Sequence, residues 1–383
     1  MERIRSINPE RIKWCCDDRG VTRAELAADT NIALPTLQGV LDGTGGGLTF
    51  GQLRRVADYF GRGVLFFLDR EPADANVIHT PQFRSLANQK VELSPKLKTL
   101  IERVERQREV FLTLQEDLQD EVPRYERPKI PRRNDLAGAA AAVRKWLGLG
   151  AANDFTSYRN AVQAKGILVF RSNGYHGKWQ IPKESPILGF ALFDPRCPVI
   201  VVRKERWETR QSFTLMHELA HIVLHQTSSI DDATDFQSHE GHEQEANMFA
   251  GHLLVPEVFL NQINDDERPA DVADFDTWLR PQWLKWTVST EVILRRLLDS
   301  GRLPQEDYLN YRAWRDRQPA SEEAGGSRAY RHREPMHIFG DGYVRTVLDS
   351  LSGRRITLTR ASAYLDDLKI VDLHKLERFY AGL

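Results

Sequence analysis

One apolar segment carries two histidines and a glutamate at a spacing that few folds can use. His217 and His221 are four residues apart, and Glu218 directly follows the first histidine. On an α-helix this spacing places both imidazoles on one face, where they can bind one metal ion while the glutamate holds a metal-bound water. The neighbouring apolar residues predict a buried helix: Phe213, Leu215, Met216, Leu219, Ile222, Val223 and Leu224. The motif alone also fits a helix whose histidines merely face a polar partner.

A second predicted helix, ended by Pro256, offers a third metal ligand. Catalytic zinc usually takes three protein ligands and leaves the fourth position to water. Glu243 and Asn247 are separated by four residues, so a ligand carboxylate and an amide that orients it could project together. We predict Glu243 as the third ligand, while Glu245 and His242 remain open as alternatives.

Taken together, the two segments resemble the ImmA/IrrE family of metallopeptidases. The first reads R-x-x-F-T-x-x-H-E-L-A-H-x-x-L-H over Arg210–His225, and the second reads E-x-E-A-N-x-F-A-x-x-L-L-x-P over Glu243–Pro256. The similarity includes the strand-like segments 189–194 and 198–202 and covers roughly residues 135–310. It implies a zincin-like domain.

By that resemblance, His217, His221 and Glu243 would bind zinc, and Glu218 would activate a zinc-bound water. The domain would be a zinc-dependent endopeptidase that cleaves a repressor-type protein or this chain itself. Three other functions fit the same residues. The chain could be a non-proteolytic transcription factor or an antitoxin-like module that uses this domain as a ligand or metal sensor, and a non-proteolytic zinc hydrolase would need the same ligands.

The first 70 residues predict five short helices that resemble the helix-turn-helix of the Cro/repressor (XRE) family. Thr22 and Glu25 form a capping box at the second helix, and Pro35 begins the predicted recognition helix. Thr36 and Gln38 are candidates for contacts with base edges in DNA, since glutamine can pair with adenine.

Basic residues are absent between Ala24 and Leu53, which is unusual for a DNA-contacting segment. Phosphate contacts would therefore depend on flanking residues: Arg5, Arg11, Lys13, Arg19, Arg23, Arg54 and Arg55. Of these, Arg23 is the candidate nearest to the predicted turn. The same helices could instead serve dimerisation or protein docking, and a homodimer is an expected assembly.

Changes in composition divide the chain into five segments. Residues 1–70 would form the helix-turn-helix domain, 71–134 a helical connector and linker, and 135–310 the zincin domain. A flexible linker over 311–330 and a helical module over 331–383 would follow. The predicted fold class is multi-domain and mainly α, with an α+β zincin-like core in which a small sheet lies beside the zinc helices.

The connector contains a predicted helix from about Ser94 to Leu118 and an extended, basic linker, Pro123–Arg133. Elsewhere in the connector, Phe83–Arg84 resembles a short element of fused members of the ImmA/IrrE family.

Three apolar segments of the zincin domain predict strands: Gly166–Arg171, Ile187–Phe193 and Pro198–Arg203. One of them would be the sheet edge that pairs with an extended peptide substrate. Tyr175 and His176 are candidates for a lid or an oxyanion donor, and the polar segment Gln226–Gly241 predicts a mobile loop near the cleft.

Charge and cysteine usage limit the classes of partner. The chain has 53 basic and 54 acidic residues, so no overall field favours nucleic acid or a membrane, and DNA would need a local patch. Cys15, Cys16 and Cys197 do not suggest a disulfide framework. Since no apolar run approaches the length of a membrane span, we expect a soluble cytoplasmic protein.

Overall fold

The structure is a computed structural model, mainly helical with one small sheet. It describes residues 2–75, 93–118, 124–131, 135–151, 153–173, 177–182, 184–232, 235, 241–318 and 328–382. The predicted element at Phe83–Arg84, the lid candidates Tyr175 and His176, and residues 319–327 of the predicted linker lie outside these residues. Within the same predicted linker, 311–330, residues 311–316 are helical and Tyr311 is buried, so the expectation of a flexible linker is wrong there.

Contacts divide the chain into two compact units. The first comprises Met1–Arg106 with Pro182–Ser185, and the second comprises Gln107–Ile181 with Pro186–Leu383.

The first unit contains the predicted succession of short helices. They are α1 (Pro9–Arg19), α2 (Arg23–Asp29), α3 (Leu34–Leu41), α4 (Phe50–Phe60) and a 3₁₀ turn (Val64–Phe67). A two-residue strand pair, β1 (Arg3–Ile4) with β2 (Leu48–Thr49), adds a feature that the sequence did not suggest. The capping box of Thr22 and Glu25 is present at α2.

Two of the arginines expected at DNA phosphates are buried. Arg11 is 7% exposed and its guanidinium lies 2.7 Å from the Asp69 carboxylate. Arg19 is 3% exposed and pairs with Glu102. The expectation that these two side chains contact DNA is therefore wrong, because both are used inside the unit.

The boundary between the units falls within α5 (Pro95–Leu118), the helix predicted for the connector. The second unit continues with α6 (Leu136–Leu147), α7 (Phe155–Gln163), β3 (Leu168–Arg171), β4 (Ile187–Leu192), β5 (Val199–Val202), α8 (Glu208–Ala220), a π-helical turn (His221–His225), β6 (Ser229–Asp232) and α9 (Gly241–Leu254).

After α9 the second unit is helical. The elements are α10 (Glu257–Leu260), α11 (Phe275–Trp278), α12 (Arg280–Trp286), α13 (Thr290–Asp299), α14 (Gln305–Asp316), α15 (Glu334–Phe339), α16 (Asp341–Ser352), α17 (Leu358–Tyr364) and α18 (Ile370–Tyr380). Short 3₁₀ turns at 265–267, 272–274 and 328–333 lie between them. In the part of the chain that the structure describes, every helix is too short or too polar to cross a membrane.

The sheet has the strand order β3-β5-β4-β6. β5 runs parallel to β3 and antiparallel to β4, and β6 pairs antiparallel with β4. The three predicted strands are confirmed, but β4 and β5 are interior strands and cannot be the substrate-pairing edge. β6 corrects the expectation of a mobile loop over Gln226–Gly241, because Ser229–Asp232 pairs with Ile187–Ala191.

Residues 124–131 of the basic linker belong to the second unit, where they are bound rather than solvated. Arg127 donates to the carbonyl oxygens of Val223 and Leu224 at 2.8 and 3.0 Å. These carbonyls lie in the π-helical turn, whose C-terminal end leaves acceptors without partners inside the helix. Arg127 thus caps the end of the helical segment that carries His217 and His221.

The C-terminal helices pack against β3 in the same unit. Phe170 of β3 makes edge-to-face contacts with Trp179, Phe339 and Tyr343, whose ring centroids lie 5.6–5.9 Å away. Arg159 of α7 lies beneath this cluster and donates to carbonyl oxygens of both β3 and α15.

The cysteines are free and buried in both units, as the composition indicated. Burial raises the thiol pKa of Cys15 to about 12, that of Cys16 to about 11 and that of Cys197 to about 12.

Candidate metal centre

Helix α8 places the two motif histidines side by side at its C-terminal end. His217 and His221 are 0% and 2% exposed, and their Nε2 atoms lie 3.2 Å apart. The apolar residues around them belong to the core of the second unit, which fixes both rings in a dry environment. The i, i+4 prediction of two imidazoles facing one point is therefore confirmed.

Two carboxylates complete the cluster. Glu243, from the first turn of α9, lies with Oε2 3.2 Å from His217 Nε2 and 3.6 Å from His221 Nε2. Asp231, from β6, lies with Oδ2 3.5 and 3.6 Å from the same two atoms and is 2% exposed. The four donor atoms all lie within 4.8 Å of one another. Two imidazoles with carboxylates form a donor set that suits zinc.

The charges in the cluster favour deprotonated carboxylates. Burial raises the pKa of Glu243, but hydrogen bonds and charge from His217 and His221 outweigh burial and hold the pKa well below its usual value. Conversely, burial lowers the pKa of His217, while Asp231 and Glu243 outweigh it and raise the pKa to about 9. Two ionised carboxylates that lie close together favour the binding of a cation between them.

Glu218 is fully buried, and its carboxyl group contacts the sheet. Its Oε2 accepts a hydrogen bond from Ser229 Oγ at 2.9 Å. Burial, followed by the nearby negative charge of Asp231, raises the pKa of the Glu218 carboxyl well above its usual value. A carboxyl group with a raised pKa can both take and return a proton near neutral pH.

Gly189 of β4 allows the sheet to approach this carboxyl group closely. A Cβ at this position would lie 2.6 Å from Thr214 Cγ2 and 2.7 Å from Glu218 Oε1. Any larger residue would have to displace the Thr214 methyl group and the Glu218 carboxyl, so glycine leaves the space that these two side chains occupy.

A second cluster lies against the outer side of His221. His225 Nδ1 is 3.1 Å from His221 Nδ1, and His225 Nε2 is 2.9 Å from Glu245 Oε2. The ring of His242 stacks on His225 at 4.0 Å. The two residues kept open as alternative third ligands therefore lie around His225, whereas Glu243 lies at the paired histidines.

The sequence did not suggest Asp231 or Ser229 as site residues. Both lie in the acidic segment predicted as a loop, where aspartates are ordinary solvated side chains. Asn247, predicted to orient Glu243, donates to the Asp235 carbonyl at 3.0 Å and so anchors the chain beyond β6.

The DNA-contact candidates lie in the first unit. Gln38 is exposed and Thr36 is half-buried, both on α3. Arg23 is exposed at the start of α2, where its guanidinium lies 3.2 Å from Asp42.

A cavity of about 500 Å³ adjoins the metal-site helix. Aromatic and aliphatic side chains provide much of its wall, including Trp207, Phe213, Trp283, Val292 and Tyr308. Phe213 connects this wall to the cluster, because its ring centroid is 6.3 Å from that of His217. A pocket of this size and composition can hold a drug-sized molecule or several side chains of a peptide.

Comparison with known proteins bears on the same region. Residues 163–298 match the Peptidase_M78 family, described as the IrrE N-terminal-like domain. The matched segment includes both metal-site helices and β4 to β6, which agrees with the resemblance seen in the motifs.

One curated protein is also similar, the Uncharacterized immunity region protein 2 of Bacillus phage phi105. It is 33% identical over 96 residues, which make up 24% of this chain and 59% of that protein. The chain thus covers less than two thirds of the relative's length.

Proposed function

We propose that this chain is a zinc-dependent peptidase in which His217, His221 and Glu243 hold the metal and Glu218 is the general base. The observation that carries the proposal is the convergence of two buried imidazole nitrogens and the Glu243 carboxylate, all within 3.6 Å of one another. The match to the Peptidase_M78 family over the same helices supports it.

The chain's own residues would orient and protonate the reactants. Zinc, when bound, supplies a Lewis acid that polarises a scissile carbonyl and lowers the pKa of water. Glu218 would take a proton from the attacking water and return it to the leaving amine, with the Ser229 hydroxyl holding its carboxyl in place. The apolar walls around α8 exclude other water and strengthen these charge interactions.

A polypeptide is the substrate class that the surroundings of the site favour. The cavity beside Phe213 is larger than a single side chain requires, and its aromatic lining suits bulky apolar residues of a substrate. The similar phage protein belongs by its name to an immunity region. We infer a protein substrate of the repressor type, with this chain itself as a second possible target of cleavage.

Metal content tests the ligand set. We expect about one zinc per chain in the wild type and a clearly reduced zinc content in His217→Ala and in Glu243→Ala, because each variant lacks one of the proposed ligands. Mass spectrometry of the purified full chain measures it. His374→Ala is the matched control, since His374 is exposed and bonded only locally to Glu377. Retention of zinc by Glu243→Ala would contradict the proposed ligand set.

Hydrolysis tests the base. We expect Glu218→Gln to keep its zinc and to lose at least 10²-fold in the rate of peptide cleavage, because the amide cannot accept the proton. The measurement is the appearance of new termini in a library of cellular peptides, read by mass spectrometry. Measurable wild-type cleavage that continues at the same rate in Glu218→Gln would remove Glu218 from the reaction.

We also propose that the first unit binds DNA through α2 and α3. The two helices and the tight connection between them support this, with Gln38 exposed for contacts to bases. The paucity of basic side chains on α3 implies a weak phosphate contribution that rests on exposed flanking residues such as Arg5 and Arg54.

A salt titration of DNA binding tests this second proposal. We expect the double variant Arg5→Ala/Arg54→Ala to weaken binding of any duplex and to reduce the slope of log affinity against log salt by about 2. Fluorescence anisotropy with a random duplex at low salt provides the reading. Arg196→Ala, an exposed arginine of the second unit, is the control. Absence of binding by the wild type even at low salt would favour a docking role.

A further inference from the structure

Asp231 lies where a catalytic metal would leave room for water. Five of the six distances among the four donor atoms are known. The histidine Nε2 atoms are 3.2 Å apart, the Glu243 oxygen lies 3.2 and 3.6 Å from them, and the Asp231 oxygen lies 3.5 and 3.6 Å from them. The sixth, between the carboxylates, is within 4.8 Å. No donor is distant from the others, so they form a compact four-cornered cage.

The size of this cage can be compared with the bonds that zinc makes. Bonds of about 2.0–2.2 Å to nitrogen and oxygen imply donor-to-donor edges of roughly 3.3–3.6 Å in a regular tetrahedron. Five edges of this cluster, from 3.2 to 3.6 Å, lie in that range or just below it. A metal at its centre would therefore reach all four protein donors together, which is the coordination of closed structural sites, whereas catalytic sites keep one position open.

We propose that Asp231 is a fourth protein ligand which closes the metal site in this conformation, so that the peptidase proposed above is held in an inactive resting state. The inference rests on that proposed function. It adds that a water can enter beside Glu218 only after the Asp231 carboxylate withdraws.

The position of Asp231 explains why this carboxylate, rather than Glu243, takes the place of the water. Asp231 is two residues after Ser229 on β6, so the two side chains lie on the same face of the strand. Ser229 bonds to the Glu218 carboxyl and Asp231 lies beside both imidazoles, so this face of β6 contacts the proposed general base and the proposed metal ligands, where an attacking water has to be held.

The strand that carries Asp231 is suited to withdrawal. β6 forms one end of the described sheet and pairs only with β4 there, with a register shift between Ile187 and Gly189. An edge strand has one ladder of hydrogen bonds to lose, and here the Ser229–Glu218 and Asn247–Asp235 hydrogen bonds would break with it, whereas Glu243 is fixed on a helix of fourteen residues. Movement of β6 would open the site without unfolding either metal-site helix.

Cobalt substitution tests the inference without relying on activity. The purified full chain and its Asp231→Ala and Asp231→Asn variants are loaded with Co²⁺, and azide is added while the visible spectrum is recorded. We expect azide to leave the wild-type spectrum unchanged and to alter that of Asp231→Ala, where a position is open. We also expect about tenfold weaker zinc binding in Asp231→Asn, which keeps the shape of the side chain.

Asp232→Asn is the matched control, because it removes the same charge from the next position of β6, where the side chain points to the other face. It should behave as the wild type in both measurements. An azide response of the wild type equal to that of Asp231→Ala would overturn the inference while leaving the peptidase proposal intact. Failure of the wild type to bind either metal would overturn both.

Discussion

The histidines between positions 217 and 252 have very different environments. His217 and His221 face the metal cluster, and His225 and His242 stack on each other beside it. His252, in the last turn of α9, is partly buried near Arg296 instead. Burial first, and then the positive charge of Arg296, lowers the pKa of His252 to about 4. This histidine is therefore neutral in the folded chain under conditions where the unfolded chain binds a proton.

His252 should contribute to acid sensitivity of the second unit. Between about pH 6.5 and pH 4 the unfolded chain takes up a proton at His252 while the folded chain does not, so stability falls as the pH is lowered. We expect His252→Gln to lose less stability than the wild type over this window, as measured by urea unfolding at a series of pH values. The exposed His374→Gln should follow the wild-type curve, and equal slopes for all three proteins would contradict the assignment.

At the scale of single residues, the sequence predicts those side-chain arrangements that depend only on spacing along one helix. The separation of His217 and His221 depends only on the period of an α-helix, and Glu243 has the same kind of helical context. Asp231 could not be found in this way. Its approach to the histidines depends on pairing between β6 and β4, which are more than thirty residues apart in the chain, and no local pattern encodes that pairing.

The end of the metal-site helix is an element with a special geometry. The last turn, His221–His225, is π-helical, and Gln226 ends it with φ 54°. The wider turn brings His225 Nδ1 next to His221 Nδ1, while Glu245 holds the other nitrogen of His225. Such turns recur at functional sites. Here the turn connects the Glu245 carboxylate, through the imidazole of His225, to the imidazole of His221, a proposed metal ligand.

This chain of contacts should tune metal affinity. We expect His225→Phe to weaken zinc binding about tenfold, because the variant keeps a ring but cannot hold the ring of His221 in orientation. Competition with a chromophoric chelator measures the affinity. His242→Phe is the control, since the ring of His242 stacks on that of His225, one residue further from the paired nitrogens of His217 and His221. If both variants bind zinc equally well, His225 serves packing alone.

Helices were predicted with near-correct ends because caps and apolar periods are local signals. Asn8, Thr22 and Asp154 each cap the helix that follows them. The fourth strand was missed for the opposite reason. Ser229–Asp232 has two aspartates and a serine among its four residues, a composition typical of a turn, and it becomes a strand through its partner β4.

At the scale of the whole second unit, Arg159 joins the C-terminal helices to the sheet. It is 5% exposed and donates to the carbonyl oxygen of Val169 in β3 and to those of Met336, His337 and Ile338 in α15. Burial lowers the pKa of its guanidinium to about 9. The predicted module over 331–383 therefore contributes to the same compact unit as the metal centre, although its boundaries as a domain remain a prediction.

Removing this guanidinium should destabilise the second unit. We expect Arg159→Met to lower the free energy of unfolding by about 3 kcal/mol, because the carbonyl oxygens of Val169 and Ile338 lose a buried charged donor. Thermal unfolding followed by circular dichroism, with limited proteolysis, provides the measurement. Arg345→Met is the control and should change stability by no more than about 0.5 kcal/mol, since its pair with Asp341 is exposed. Equal melting temperatures would show that packing alone retains α15.

The three buried thiols provide each unit with a chemical probe of its own local opening. Cys15 and Cys16 lie in the first unit and Cys197 in the second, and none can react with an alkylating reagent until its surroundings open. The rate of alkylation at each cysteine therefore reports local opening of one unit without any added label. Ligands of either unit, whether metal, peptide or DNA, can be detected as a slowing of one reaction while the other continues unchanged.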